Sequence, residues 1–234
     1  MKAEKTVIRK YYKILQEQNT DSYVYTIPSA GLYLVELVGA GGGGAQKYAD
    51  NAGGSGSGGS GGYFKGILNL NSGDELSFTF GVGGVGKVQT TYGEVTATAG
   101  TESTLSINGV LTITTNGGDG GNSNAKASCG QTTINDDSKI IEVISTTGVN
   151  GSYLRGGALS RPTVERTLSP LTKTTTGYGS GGGYNTTDGA GTGANGAMRI
   201  SNAYEDMPSD YDYYEDKELY RLVKIDENYY AIGG

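Results

Sequence analysis

The chain has no histidine and no tryptophan, and Cys129 is its one cysteine among 234 residues. Without histidine there is no Ser–His–Asp or Cys–His catalytic arrangement and no histidine metal site. A lone cysteine closes no intrachain disulfide, and Cys129 reads as a small loop residue. Four prolines and the absence of a G-X-Y period exclude collagen. The longest largely apolar run, Leu32–Val38, is far too short to cross a bilayer. The opening "MKAEKTVIRKYYKILQEQ" lacks the apolar segment of a secretory signal, so folding in a reducing cytoplasm is expected. No amphipathic helix of useful length can be drawn.

Glycine, by contrast, is abundant: 42 residues, far above the usual level of about 7%. Two glycine stretches imitate nucleotide motifs. Leu32–Gln46, "LYLVELVGAGGGGAQ", holds the G-x-G-x-x-G spacing at Gly39, Gly41 and Gly44. That fingerprint needs a following helix to meet a pyrophosphate. Twelve glycines between Gly39 and Gly62 leave no room for one. "GVGGVGKV", Gly81–Val88, copies a phosphate loop, but Val88 stands where a magnesium-binding hydroxyl belongs and no helix follows. Both motifs fail on context. The glycine runs alternate with good strands, so an ordered lattice is expected in which missing side chains let backbones approach and bond.

The strands can be read one by one. "KTVIRKYYKIL" reads as a strand, and "SYVYTIPSAGLYLVELVGA" as strand, turn at Pro28–Gly31, strand. In "FKGILNLNSGDELSFTFGVGG" the residues Leu76, Phe78, Phe80 and Val82 alternate with small or polar ones after a turn at Asn71–Asp74. "STLSINGVLTIT" is a hairpin with Asn108–Gly109 as a type I′ turn. "KIIEVIS" and "AMRIS" add strands, and glycine-rich stretches lie around 39–62, 117–130 and 177–196.

Charge is unevenly placed. The net charge is −6, residues 1–20 hold five bases and two acids, and Tyr204–Glu218 holds seven acids and one base. No basic stripe offers itself to phosphates, so nucleic acid is not expected as a partner. The acidic cluster lacks the spacing of a calcium loop and reads as a solvated, tyrosine-rich segment. A terminal hairpin is expected around Asp226–Asn228. Three parts follow: a strand or attachment segment over 1–22, a glycine-rich β domain over 23–202, and an acidic tail over 203–234.

The order of the pieces from Tyr25 to Ser201 resembles the glycine-rich domains of bacteriophage tail-fibre and receptor-binding proteins. "YTIPSAGLYLVELVGAGGGG" is similar to their opening strand pair and first glycine run. "GGYFKGILNLNSGDELSFTFGVGGVG" is similar to their second block, and "GGDGG", "GYGSGGGY" and "GTGANGAMRIS" to the later ones. Residues 126–176 and the acidic C-terminal segment depart from that pattern. The resemblance implies an all-β fold with a jelly-roll-like or sandwich core and packed, extended polyglycine-type segments. It also implies variable loops that bind host-surface glycan or protein.

Candidate recognition residues are those that combine an aromatic face with polar groups between glycine runs. They are Tyr48, Asp50 and Asn51, then Tyr92, then Tyr184, Asn185 and Asp188. The expected setting is a virion surface, with the oppositely charged ends attaching to each other, to another copy or to other virion proteins. A homotrimer is one assembly that β-rich fibres adopt through shared edges. No cofactor, metal or membrane insertion is expected. A purely architectural virion component is the competing reading. An enzyme is disfavoured, because Asp50, Asp74, Glu75, Glu94, Asp119 and Asp188 are scattered over turns and loops rather than paired.

Overall fold

The computed structural model describes residues 3–19, 22–46, 56–88, 96–122, 127–146, 179, 181–182, 184–185, 189–204 and 213–222. These form strands β1 (Ala3–Gln18), β2 (Ser22–Thr26), β3 (Gly31–Val38), β4 (Ala45–Gln46), β5 (Tyr63–Leu70), β6 (Glu75–Thr79), β7 (Lys87–Val88) and β8 (Ser103–Ile107). They continue as β9 (Val110–Thr115), β10 (Thr132–Ile134), β11 (Ile140–Ser145), β12 (Tyr184–Asn185), β13 (Gly189–Ala190), β14 (Ala197–Tyr204) and β15 (Tyr213–Leu222). The fold is all-β, as the sequence pattern requires.

The chain divides into two compact units, Met1–Leu15 with Ser201–Gly234, and Gln16–Ile200. In the larger unit one sheet runs β11-β5-β3-β14 and the other β10-β9-β8-β6-β2. The pairs β3–β5, β5–β11, β2–β6, β6–β8, β8–β9 and β9–β10 are antiparallel. β3 packs on β8 and β5 on β9, which makes a sandwich. Its core holds Leu37, Phe64 and Leu68 from one sheet and Leu76, Phe78, Leu105 and Ile113 from the other. Each such side chain contributes about 1.5–3 kcal/mol on burial.

β6 and β8 alternate buried and less buried residues, the mark of a sheet with one wet face. β3 and β5 are buried on both faces from Tyr33 to Val38 and from Tyr63 to Leu68. The predicted alternation through Val82 runs too far. β6 ends at Thr79, and Val82 is 64% exposed because it already belongs to a segment with a period of three. Phe80 remains against Phe78, with ring centroids 6.2 Å apart and the planes nearly parallel.

Two turns close the end of the sandwich remote from the glycine runs. Asn108 and Gly109 have φ of 50° and 80°, the two positive values that a type I′ turn demands. Gly73 has φ of 87° at the third position of the Asn71–Asp74 turn. The Asp74 carboxylate ties both turns together. It accepts from the Asn71 backbone N–H (2.9 Å), the Asn108 side-chain amide (2.8 Å) and the Lys139 ammonium (3.0 Å).

In the smaller unit β1 and β15 pair antiparallel. The register sets Glu4 opposite Arg221, Arg9 opposite Asp216 and Lys10 opposite Glu215. The basic start and the acidic end of the chain are therefore paired with each other in one chain. The terminal hairpin expected around Asp226–Asn228 lies outside the described residues.

Candidate functional site

Seven strands of the larger unit run into or out of extended segments, most of them glycine-rich, at β3, β5, β6, β8, β9, β10 and β14. The segment 39–44 shows how those pieces pack. Its N–H groups donate in turn to three neighbours with a period of three. Gly39 and Gly42 donate to Gly62 and Gly59, Ala40 and Gly43 to Thr101 and Thr98, and Gly41 and Gly44 to Ala194 and Gly191, all at 2.9–3.1 Å. Its carbonyls accept from three others. Gly118 and Gly121 reach Ala40 and Gly43, Gly84 and Lys87 reach Gly41 and Gly44, and Gly182 reaches Gly42, at 2.7–2.9 Å. One extended chain is thus hydrogen-bonded to six neighbours. Three residues per turn is the period of a polyproline II-type helix, which has no internal hydrogen bonds and leaves every backbone group for its neighbours.

Such packing tolerates side chains at few positions. A Cβ built on Gly42 would meet the carbonyl of Asp119, on Gly58 that of Gly42, on Gly182 that of Gly191 and on Gly193 that of Gly41. In each case the separation is under 3.0 Å, and the obstacle is backbone that cannot rotate aside. Ala40, Ser57, Ser60 and Ala97 are among the small side chains that do fit, all buried.

The same hydrogen bonds account for the backbone N–H groups of the two nucleotide-like motifs. Every N–H from Gly39 to Gly44 already donates to a carbonyl of another segment. In the second motif Gly81 N–H donates to Ser103 Oγ, Val82 to Thr101 Oγ1, Gly83 to Asn195 Oδ1 and Val85 to Thr98 Oγ1. Gly84 and Lys87 donate to the 39–44 segment. These N–H groups are not free to cradle a phosphate.

Direction then places the connections. Segments 39–46, 81–88, 116–122 and the described residues from 179 to 185 run away from the sandwich, and 56–62, 96–101, 127–131 and 189–196 return. The bonds that fix this include Ala45 N–H to Gly56, Lys87 to Gly44, Ala97 to Gly121 and Gly58 to Gly182. Residues flanking the connections therefore meet at one end. β4 pairs parallel with β7, Ala45 bridges Gly56, Thr96 bridges Asn122, and β12 pairs with β13. Tyr184 and Asn185 lie in this end, opposite Ala190 and Gly189. Tyr48, Asp50 and Asn51 fall between Gln46 and Gly56, Tyr92 between Val88 and Thr96, and Asp188 between β12 and β13. All five lie outside the described residues.

A family model for a glycine-rich domain matches residues 18–210. The chain belongs to this glycine-rich domain family. The match spans the sandwich and all eight extended segments. Comparison with curated proteins finds no match. Among the described residues of this glycine-rich domain, no group of three or more Cys, Asp or Glu is placed to hold a metal ion.

One polar feature was not singled out from the sequence. On the outer face of β3 and β5, Glu36 stands directly across from Lys65, and both are buried. Tyr63 donates its hydroxyl to Glu36 Oε1, whereas Glu36 Oε2 has no hydrogen-bond partner among the described residues. Val38, Tyr63 and Ala197 cluster together, so alternation along β14 brings Arg199, also buried, to the same face. The signal was one charged residue in the middle of each of three apolar strands: "LYLVELV", "YFKGIL" and "AMRIS". Asp74, which sequence reading treated as one scattered acid, is held by three donors. The Asn71 N–H, then Asn108 and Lys139, hold its carboxyl below the usual carboxylate range against the opposing effect of burial.

Proposed function

We propose that this glycine-rich domain is the non-enzymatic receptor-binding part of a bacteriophage particle, acting as a fibre tip or surface fibre that attaches to host-surface glycan or protein. The observation that carries the reading is the six-neighbour packing of segment 39–44. It holds the flanks of four chain connections together at one end of a rigid backbone lattice. Loops anchored this way can vary in sequence while their ends stay fixed, which is the division of labour of a recognition surface. Tyr48, Asp50, Asn51, Tyr92, Tyr184, Asn185 and Asp188 all fall on or beside those connections. The resemblance of Tyr25–Ser201 to tail-fibre domains supplies the virion setting, and the paired termini supply a second, separate unit for attachment to other virion proteins.

The test is adsorption of labelled protein to a panel of bacterial cells. Saturable binding to some strains is expected. It should be lost in a variant carrying Tyr184→Ala, Asn185→Ala and Asp188→Ala that retains its melting transition. A true hot spot among these residues contributes at least about 2 kcal/mol of binding. Equal adsorption by that variant would make this connection a mere joint. Failure to bind any strain would favour a purely architectural role.

A further inference from the structure

The outer face of the sheet β10-β9-β8-β6-β2 bears an ordered row of hydroxyls that neither the fold nor the tip connections require. Residues directly opposite one another in an antiparallel pair share a face. Ser22 pairs with Thr79, Thr79 with Thr104, Thr104 with Thr114, and Thr114 with Thr133. Five consecutive strands thus each contribute one hydroxyl to a single line across the sheet. Ser22, Thr79 and Thr133 are exposed, and Thr104 and Thr114 are half-buried. Neighbouring rungs are set by the strand spacing of about 4.8 Å, so the line is roughly 19 Å long. Thr79 Oγ1 and Thr104 Oγ1 are 2.6 Å apart, and Asn135 Nδ2 donates to Thr114 Oγ1 at 3.1 Å. A second row two residues along, Val24–Ser77–Ser106–Leu111, continues the same surface with two hydroxyls between two exposed apolar side chains.

Neither row contains a charged residue. A charged polymer would find no counter-charge there, and an apolar partner would have to bury hydroxyls without replacing their water contacts. The complementary partner is uncharged, extended and rich in hydroxyls. Each threonine offers a group that both donates and accepts, beside a methyl that can lie on the C–H face of a sugar ring. We propose that this hydroxyl row is a binding surface for a neutral polysaccharide chain lying across the strands. It stands apart from the connections at the far end of the lattice and does not depend on their role.

The experiment measures retention of the purified full chain on insoluble cellulose, chitin and mannan, with immobilised heparin as the charged control. Retention on at least one neutral polysaccharide is expected, with little change as salt is raised, because no counterions are released. The variant Thr79→Val/Thr104→Val/Thr114→Val keeps β-branched residues suited to strands and removes three hydroxyls. It should lose about tenfold or more in affinity, as for removal of a few net-favourable hydrogen bonds. The alanine variant at 184, 185 and 188 should bind these polymers like the parent. Should the triple valine variant fail to fold, Thr133→Val at the edge strand and the hydroxyl-keeping Thr79→Ser/Thr104→Ser/Thr114→Ser replace it, the first weakening retention and the second preserving it. No retention on any neutral polysaccharide, retention on heparin alone, or equal retention of the valine variants would overturn the proposal.

Discussion

Three surroundings recur among the described glycines, and each answers differently to a methyl group. Gly42, Gly58, Gly182 and Gly193 face another segment's backbone, so alanine must push two chains apart. We expect losses of roughly 1–3 kcal/mol per substitution by urea denaturation, as for an overpacked core. Gly73 has open space around it but φ of 87°, where alanine is strained whatever the room. Gly31 has neither constraint, with the Tyr33 ring 4.0 Å from the added carbon, and Gly31→Ala should stabilise by about 0.4–1 kcal/mol. Asp74 gives the residue scale its pH dependence. Its folded pKa is depressed by the Asn71 N–H first, then by Asn108 and Lys139. Its stabilising contribution is therefore complete above the unfolded-state pKa and disappears as pH falls through the lower folded value. Asp74→Asn should reduce stability at neutral pH and flatten the acid limb of the stability curve. An unchanged acid limb would show that other carboxylates govern it.

At the scale of elements, the sandwich strands were legible except β10, and the lattice only partly so. A period of two with one buried face is a strong signal, and it placed β6, β8 and β9 and the Asn108–Gly109 turn. Glycine density marked the stretches around 39–62, 117–130 and 177–196. It did not mark the segment 96–101, "TATAGT", which is a full member of the lattice with a single glycine. Its threonines are what hide it. Thr98 and Thr101 are exposed on one side of the segment, three residues apart, and Val82 and Val85 stand likewise on the neighbouring one. A period of three leaves no apolar stripe to read. The Thr98 and Thr101 hydroxyls accept from the Val85 and Val82 N–H groups at 2.6 and 2.7 Å. Thr98→Val should lose about 0.5–1.5 kcal/mol and speed amide exchange at Val85, with the fold retained. No change in exchange there would show that the Thr98 hydroxyl does not protect the Val85 amide. The candidate site was legible in the same partial way. Tyrosines between glycine runs could be named, but that the runs return to one shared end follows from hydrogen-bond direction, which no local pattern encodes.

For the whole molecule, the question is how a chain with so much glycine stays ordered. Glycine carries an extra entropic burden of about 0.5–1 kcal/mol per ordered residue relative to alanine. A net hydrogen bond contributes a similar amount. The structure offsets one with the other by giving the interior segment a partner for every N–H and five of its neighbours' N–H groups for its carbonyls. The sandwich then clamps the segments at one end, through strands that continue directly into them. Recognition, on the reading proposed here, is confined to surfaces this rigid body presents. Native-state hydrogen exchange tests that rigidity most directly. The amides of Gly39–Gly44, which belong to no regular sheet, should be protected as strongly as those of β3 and β5 and exchange only on global unfolding. Exchange of those glycines at the rate of an open loop, with β3 and β5 still protected, would contradict the account.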